Sequence, residues 1–443
     1  MRFKPYPKYK PSGVEWLGDI PEGWKTQPFF SIAKERTESN AGMVESNLLS
    51  LSYGQIVRKD INTNDGLLPE SFETYQVVHE GDIVFRLTDL QNDKRSLRTA
   101  IVEETGIITS AYIAAVPVQL SARYLNYLLR SYDVQKVFYS MGGGLRQSMK
   151  FRDLKWLATL APSRSEQDDI TSFLDRETAK IDTLIAEQKR LVELLAEKRQ
   201  AVISHAVTKG LNPNAKMKDS GIEWLGAVPE HWRVGKCGFY LTILSGFAFP
   251  STDFSEDDAD TKLLRGINVG VSRLKWDETV YWKRSEDDGL DAYEMQLGDV
   301  VIGLDRPLIR EGIRVAKVKE SDLPCLLLQR VASLKSGTQL DSDYLLGLLS
   351  SEMFVAHFSP ETTGVSVPHI SPEQINNFVI PVPPLDEQQV ISAFLDTETA
   401  KFDALTEEAR RAIQLLQERR SALISAAVTG KIDIREVSHE GGR

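Results

Sequence analysis

Residues that could carry out chemistry are sparse in this chain, and their spacing fits none of the common catalytic sets. The six histidines include no pair at the i, i+4 spacing of a helical metal site. Cys237 and Cys325 are too few for a disulfide framework and too far apart for a Cys-x-x-Cys clamp, so they read as two buried thiols acting as small hydrophobes. No structural metal is expected. The run Gly142-Gly143-Gly144 is not followed by Lys-Ser/Thr and is no G-x-G-x-x-G, which argues against nucleotide hydrolysis of the P-loop kind. Val382-Pro383-Pro384-Leu385 is proline-rich but is not the Asn/Asp-Pro-Pro-Tyr/Phe tetrapeptide that holds a target base in amino-methyltransferases, and there is no G-x-S-x-G nucleophile elbow. Asp82 with Glu103 and Glu104 comes nearest to a nuclease-like carboxylate set, yet acid pairs on strands are ordinarily structural. What is left favours binding over catalysis.

Composition sets the class. With 42% hydrophobic and 26% charged residues, 19 Pro and 29 Gly, the chain reads as globular rather than disordered or collagenous. Its 443 residues suggest two domains of roughly 150 residues plus accessory elements. No apolar run approaches the ~18 residues of a membrane span, and the start Met1-Arg2-Phe3-Lys4-Pro5 does not develop a secretory apolar stretch, so the cytoplasm is the expected location. A net charge of −10 taken alone argues against a nucleic-acid partner. The charge is uneven, however: residues 1–165 carry +3 and residues 210–385 carry −8, much of the acid lying in the runs 256–260 and 286–288, which read as solvated loops.

The elements that would position a binding surface are written twice. Residues 12–24, SGVEWLGDIPEGW, return as SGIEWLGAVPEHW at 220–232. Residues 166–208 align without a gap to 387–429, more than half of the positions being identical. Between these ends the copies diverge, keeping little beyond Gly81-Asp82-Ile83-Val84 against Gly298-Asp299-Val300-Val301. The repeated stretches lack Gly and Pro and are rich in Leu, Ala, Glu, Lys and Arg, which predicts two long helices ending at Gly210 and Gly430. Ile181, Leu184, Leu191, Leu195 and Val202 recur at heptad-like spacing, as do Phe402, Leu405, Leu416 and Leu423, so the helices are expected to pack as an antiparallel coiled coil that returns the carboxyl end near the amino end. The globular segments mix strands (77–85, 101–102, 297–304) with amphipathic helices (123–129, 343–349). The predicted fold is α+β: two tandem domains, 1–165 and 210–385, with spacer helices 166–209 and 386–430, a tail 431–443, and a pseudo-two-fold internal repeat.

The P-x-x-x-E-Q helix entries (Pro162 to Gln167, Pro383 to Gln388), the Phe-Leu-Asp-x-Glu-Thr-Ala-Lys cores, the Ala-Val-Thr helix ends and the Gly-x-Glu-Trp-Leu-Gly-x-x-Pro-Glu-x-Trp starts together resemble the specificity subunit of type I restriction-modification systems, along the whole chain. The resemblance implies a non-catalytic subunit whose two target-recognition domains each read one half of a split, asymmetric sequence in double-stranded DNA. It also implies that the helices set the spacer and dock two modification (methyltransferase) subunits. S-adenosylmethionine, ATP and Mg would be bound by partner subunits, including the restriction subunits, and no cofactor or membrane is implied for this chain. Base readout favours Arg, Lys, Asn and Gln, which marks Lys94, Arg95 and Arg98, then Arg146, Gln147, Lys150 and Arg152 after the glycine run, and Arg306, Arg310 and Arg314 in the second copy. Each could equally be a solubilising surface charge. The second-copy match to the glycine loop, 362–369, is polar but not basic. Alternatives are a coiled-coil adaptor between proteins, without salt-dependent DNA affinity, and a self-contained restriction or methyl-transfer enzyme. Alanine at both Arg146 and Lys150 is predicted to weaken DNA binding by the assembled complex; unchanged affinity at physiological salt would remove this loop from the interface.

Overall fold

The computed structural model describes residues 3–61, 71–90, 92, 97–141, 148–309, 312–362 and 369–435. The chain divides into two compact units, residues 1–189 with 411–443 and residues 190–410, so each unit takes part of both long helices. These run Arg164–Lys209 and Leu385–Val428. At 46 residues the first spans ~69 Å. Both stop where predicted, Gly210 and Gly430 taking the left-handed conformation at φ 73° and 71°.

Within each unit the two helices pack antiparallel. In the first unit Ile170, Phe173 and Leu174, from the start of one helix, share a core with Ile424, Ala427 and Val428 from the end of the other. Further along, Arg420 donates two hydrogen bonds to Asp182, at 2.8 and 3.1 Å. In the second unit Ile203, Ala206 and Val207 meet Ile391 and Leu395 in one core, and Arg199 approaches Asp403 at 3.5 Å. The seam follows steps of three and four: Thr178, Ile181 and Ile185 are buried in the first unit, and Phe402 and Ala409 in the second. This differs from the expected seam at three places. Leu184, Leu191 and Leu405 are exposed, on a second heptad stripe beside the buried one.

Each unit builds the same globular frame. The first has a four-stranded antiparallel sheet ordered Ala33–Glu35, Ile113–Pro117, Ile83–Phe85, Thr99–Ile101. The second repeats that order with Leu241–Ser245, Val331–Ser336, Val300–Gly303 and Val315–Lys317. A helix then covers the sheet, Ala122–Val134 in one unit and Ser342–Leu349 in the other, burying Leu125, Leu128 and Leu129, or Leu345 and Leu348. A two-stranded ribbon, Lys25–Pro28 with Ala158–Ala161 or Arg233–Lys236 with Val379–Val382, leads into the long helix. The α+β class and the strand-then-helix order are those read from the sequence. Both cysteines are buried, and burial pushes their thiols up to about 12.

The repeated motifs are the joints of this frame. At the entry of the first long helix, the Gln167 amide donates to the Pro162 carbonyl (3.0 Å) and accepts from the Ser121 N–H (2.8 Å). Gln388 does the same at the second, donating to the Pro383 carbonyl (2.9 Å) and accepting from the Asp341 N–H (2.8 Å). Each glutamine thereby satisfies the backbone where strand turns into helix and where the covering helix begins. At the opposite helix ends, Tyr124 donates to the Val428 carbonyl (3.4 Å) and Tyr344 to that of Val207 (3.0 Å). The buried Trp24 and Trp232 close these ends: a Cβ on Gly430 would lie 3.4 Å from Trp24, and one on Gly210 would lie 3.2 Å from Trp232. The Asp433 N–H finally meets the Lys4 carbonyl at 2.8 Å, returning the carboxyl segment to the amino segment as expected. Gln388→Ala would strand the Asp341 N–H and the Pro383 carbonyl. It is predicted to cost about 3 kcal/mol, read as a shift in the urea unfolding midpoint, and a cost below about 1 kcal/mol would count against the joint.

Candidate nucleic-acid interface

In both units the candidate surface is a loop carried by the central strand. The Gly-Asp pair that survives in both copies launches it. Gly81 and Gly298 turn the chain at φ 90° and 89°, a conformation suited to glycine. The following aspartates accept the N–H of His79 (2.9 Å) and Gln296 (3.0 Å), pinning the turn. Asp82 is also forked by Arg36 at 3.0 Å through each oxygen, and Glu104 pairs with Arg58, so these acids serve the fold. Among the described residues no group of three or more His, Cys, Asp or Glu is placed to hold a metal ion.

Beyond the strand the loop leaves the sheet between Leu87 and Arg98 in the first unit and between Leu304 and Arg314 in the second. A second segment docks beside it. The Met149 N–H meets the Leu87 carbonyl, and the Ile370 N–H meets that of Leu304, both at 2.9 Å. The segment after the glycine run and its second-copy counterpart therefore occupy matching places, as the sequence alignment suggested. In the second unit Asp305 and His369 form a bridge there, and the His369 Nδ1 lies 2.7 Å from the Asp305 carboxylate.

The sequence-predicted site residues separate into three groups. Lys94, Arg95, Arg146, Gln147 and Arg310 lie outside the described residues. Lys150, Arg152 and Arg306 are exposed, with Lys150 at the head of the short helix Phe151–Leu154 and Arg152 beside Asp153 at 3.8 Å. Arg98 and Arg314 turn inward. Arg98 is only 1% exposed and donates to the carbonyls of Arg86 (3.4 Å) and Thr88 (3.2 Å) and to the Tyr139 hydroxyl (3.3 Å). Arg314 is half-buried and donates to the carbonyls of Val269 (3.0 Å) and Asp305 (3.2 Å). Burial lowers the Arg314 guanidinium pKa, against the opposing pull of Asp305. The expectation that Arg98 lines the outer surface is thus replaced by a buried placement.

Sequence reading missed Lys275 and Arg330. Together with Arg306 and Arg314 they surround a cleft of about 610 Å³ in the second unit, with Asp305 as its carboxylate and Ile267 and Ile309 on its rim. These cations come from three separate stretches of chain, so no linear cluster announced them. The cleft gathers these cations within residues 210–385, whose overall charge is acidic. Part of that acid is taken up elsewhere, Arg284 pairing with Asp288 and Asp291 at 2.6 Å each and with Glu294 at 3.6 Å. A polyanion would require such a local gathering of cations in a concavity, within which Asp305 approaches Arg330 at 3.5 Å.

Residues 281–415 match the family described as "Type I restriction modification DNA specificity domain". The chain is 29% identical over 281 residues to the type I restriction enzyme MjaVIII specificity subunit of Methanocaldococcus jannaschii, covering 62% of each protein. It is 30% identical over 207 residues to the EcoAI specificity subunit of Escherichia coli, covering 46% of this chain and 34% of that one. The matched stretches thus fall short of two thirds of these relatives' lengths. A solved structure described as "Structural basis underlying complex assembly and conformational transition of the type I R-M system" shares the fold, with a TM-score of 0.67 at 15% identity over 93% of this chain and 99% of that one. Arg306→Ala is predicted to weaken DNA binding of the assembled complex and to flatten the slope of log affinity against log salt by about 1. Anisotropy titrations over a salt series measure this, and a slope equal to wild type would remove the cleft from the interface.

Proposed function

We propose that this chain belongs to the type I restriction-modification specificity subunits, is the DNA-reading component of its complex and has no catalytic site of its own. Each globular frame reads one half of a bipartite, asymmetric target, and the paired helices fix the gap between the halves. The observation that carries this reading is the twofold construction itself. One frame is built twice to the same hydrogen-bonding plan, and the residues on its loops differ almost completely between the copies. Identical supports with different tips suit two dissimilar half-sites, as separation between reading elements sets half-site spacing in simpler DNA-binding proteins.

The second apolar stripe supports docking of two like partners. Leu184 and Leu405 occupy equivalent places in the helix repeat and are 44% and 48% exposed; Leu194 and Leu415 form another such pair, at 44% and 57%. Leucines kept in both copies yet left uncovered suit an apolar partner surface met twice. Two modification subunits fit that requirement, with methyl donor, ATP and Mg held by the modification and restriction subunits, in the cytoplasm. Among the described residues no helix is long and apolar enough to cross a membrane.

Methylation sequencing in a host carrying this chain with its modification subunits tests the reading. The expected pattern is a two-part motif with a constant gap. A four-residue insertion into the first long helix, about one turn, should lengthen the gap and leave both half-sites unchanged; altered bases within a half-site would refute the ruler role.

A further inference from the structure

We propose that Arg98 and Arg314 are matched positioning residues, each locking the main chain of the loop through which its unit reads DNA; this rests on the DNA-reading function proposed above. Between the motif glycine and the end of the return strand the two copies share little sequence and differ in length by one residue, Gly81 to Val102 against Gly298 to Val318. Main-chain pairing nevertheless brings the two arginines to one place. The Arg86 N–H meets the Arg98 carbonyl at 2.8 Å, and the Gly303 N–H meets the Arg314 carbonyl at 2.9 Å. Arg86 and Gly303 stand at the same step after the motif glycine, as do Thr88 and Asp305.

From that shared position each guanidinium makes the same bond. Nη1 of Arg98 donates to the Thr88 carbonyl and Nη1 of Arg314 donates to the Asp305 carbonyl, both at 3.2 Å. The residue that follows each carbonyl is left-handed without being glycine: Asp89 at φ 56° and Arg306 at φ 45°. Such a conformation is unfavourable for a side chain with a Cβ and persists where surrounding contacts hold it. A second bond braces each arginine from another part of the unit, Arg98 Nε to the Tyr139 hydroxyl (3.3 Å) and Arg314 Nε to the Val269 carbonyl (3.0 Å). The planar fork of arginine reaches two acceptors in fixed directions, which a lysine ammonium does not reproduce. Beneath the loops Leu87 and Leu90, or Leu304 and Ile313, belong to the apolar cores, so the frame is held independently of the arginines.

The two-part target supplies an internal control. Arg98→Met, Arg98→Lys, Arg314→Met and Arg314→Lys are each assembled with modification subunits, and methylated sequences are mapped genome-wide alongside wild type. Arg98→Met is expected to raise methylation about tenfold at sites mismatched in one half only, leaving stringency in the other half unchanged. Arg314→Met should do the reverse, and lysine should restore neither. Three results would overturn the proposal: unaltered base preference in both halves, a uniform loss of methylation restored by lysine, as a phosphate contact would give, or failure of all four variants to assemble, which would make the arginines supports of the fold. If the wild-type complex methylates no two-part sequence, the DNA-reading function itself fails; a two-part wild-type motif with unaltered variants defeats the arginines alone.

Discussion

An amphipathic helix of 46 residues has far more apolar stripe than one small domain can cover. The antiparallel seam resolves this by giving each length of helix a partner running the other way. The rest of the organisation follows from that pairing. A globular frame seated on the pair must grip the start of one helix and the end of the other, and each frame has a dedicated fitting for both. Gln167 and Gln388 fix the starts, while Tyr124 with Trp24 and Tyr344 with Trp232 fix the ends. In the second unit both gripped helix ends run directly into its globular segment, residues 210–384. In the first, the far grip is reached only by the returning carboxyl segment, which the bond from Asp433 to Lys4 secures.

The division of labour between frame and loop is also one of energetics. Buried glutamine amides and apolar clusters define the frame, and replacing any of them would leave polar groups unpaired or cavities open. Among the described loop residues, Leu90 in the first unit and Leu308 and Ile313 in the second pack on these cores, while Arg306 is exposed. The cleft of the second unit concentrates Lys275, Arg306, Arg314 and Arg330 within a segment whose overall charge is negative. For a polyanion meeting that cleft, local placement would outweigh composition, because nearby charges act more strongly than distant, screened acids.

Much of the architecture was legible because it is written in repeats and punctuation. Gly210 and Gly430 mark the helix ends since only a residue tolerant of positive φ can stop there beside a tryptophan ring. The seam is less legible: two apolar stripes share a period of seven, and periodicity cannot say which one faces the partner, so Leu184, Leu191 and Leu405 lie on the exposed one. Site reading had a similar limit. Arg98 and Arg314 look like any surface cation in sequence, because the carbonyls that receive them are invisible until the hairpin closes. Lys275 and Arg330 are brought to Arg306 by sheet topology across tens of residues, and no local pattern encodes that meeting.

The attachment of each loop through carbonyl oxygens has an evolutionary corollary. A peptide carbonyl is present whatever amino acid bears it, so Thr88 in one copy and Asp305 in the other receive the same bond. Under the proposed reading role, side chains beyond that anchor would be free to drift without renegotiating the scaffold, and a lineage would acquire new preferences by point changes while inheriting the same anchor.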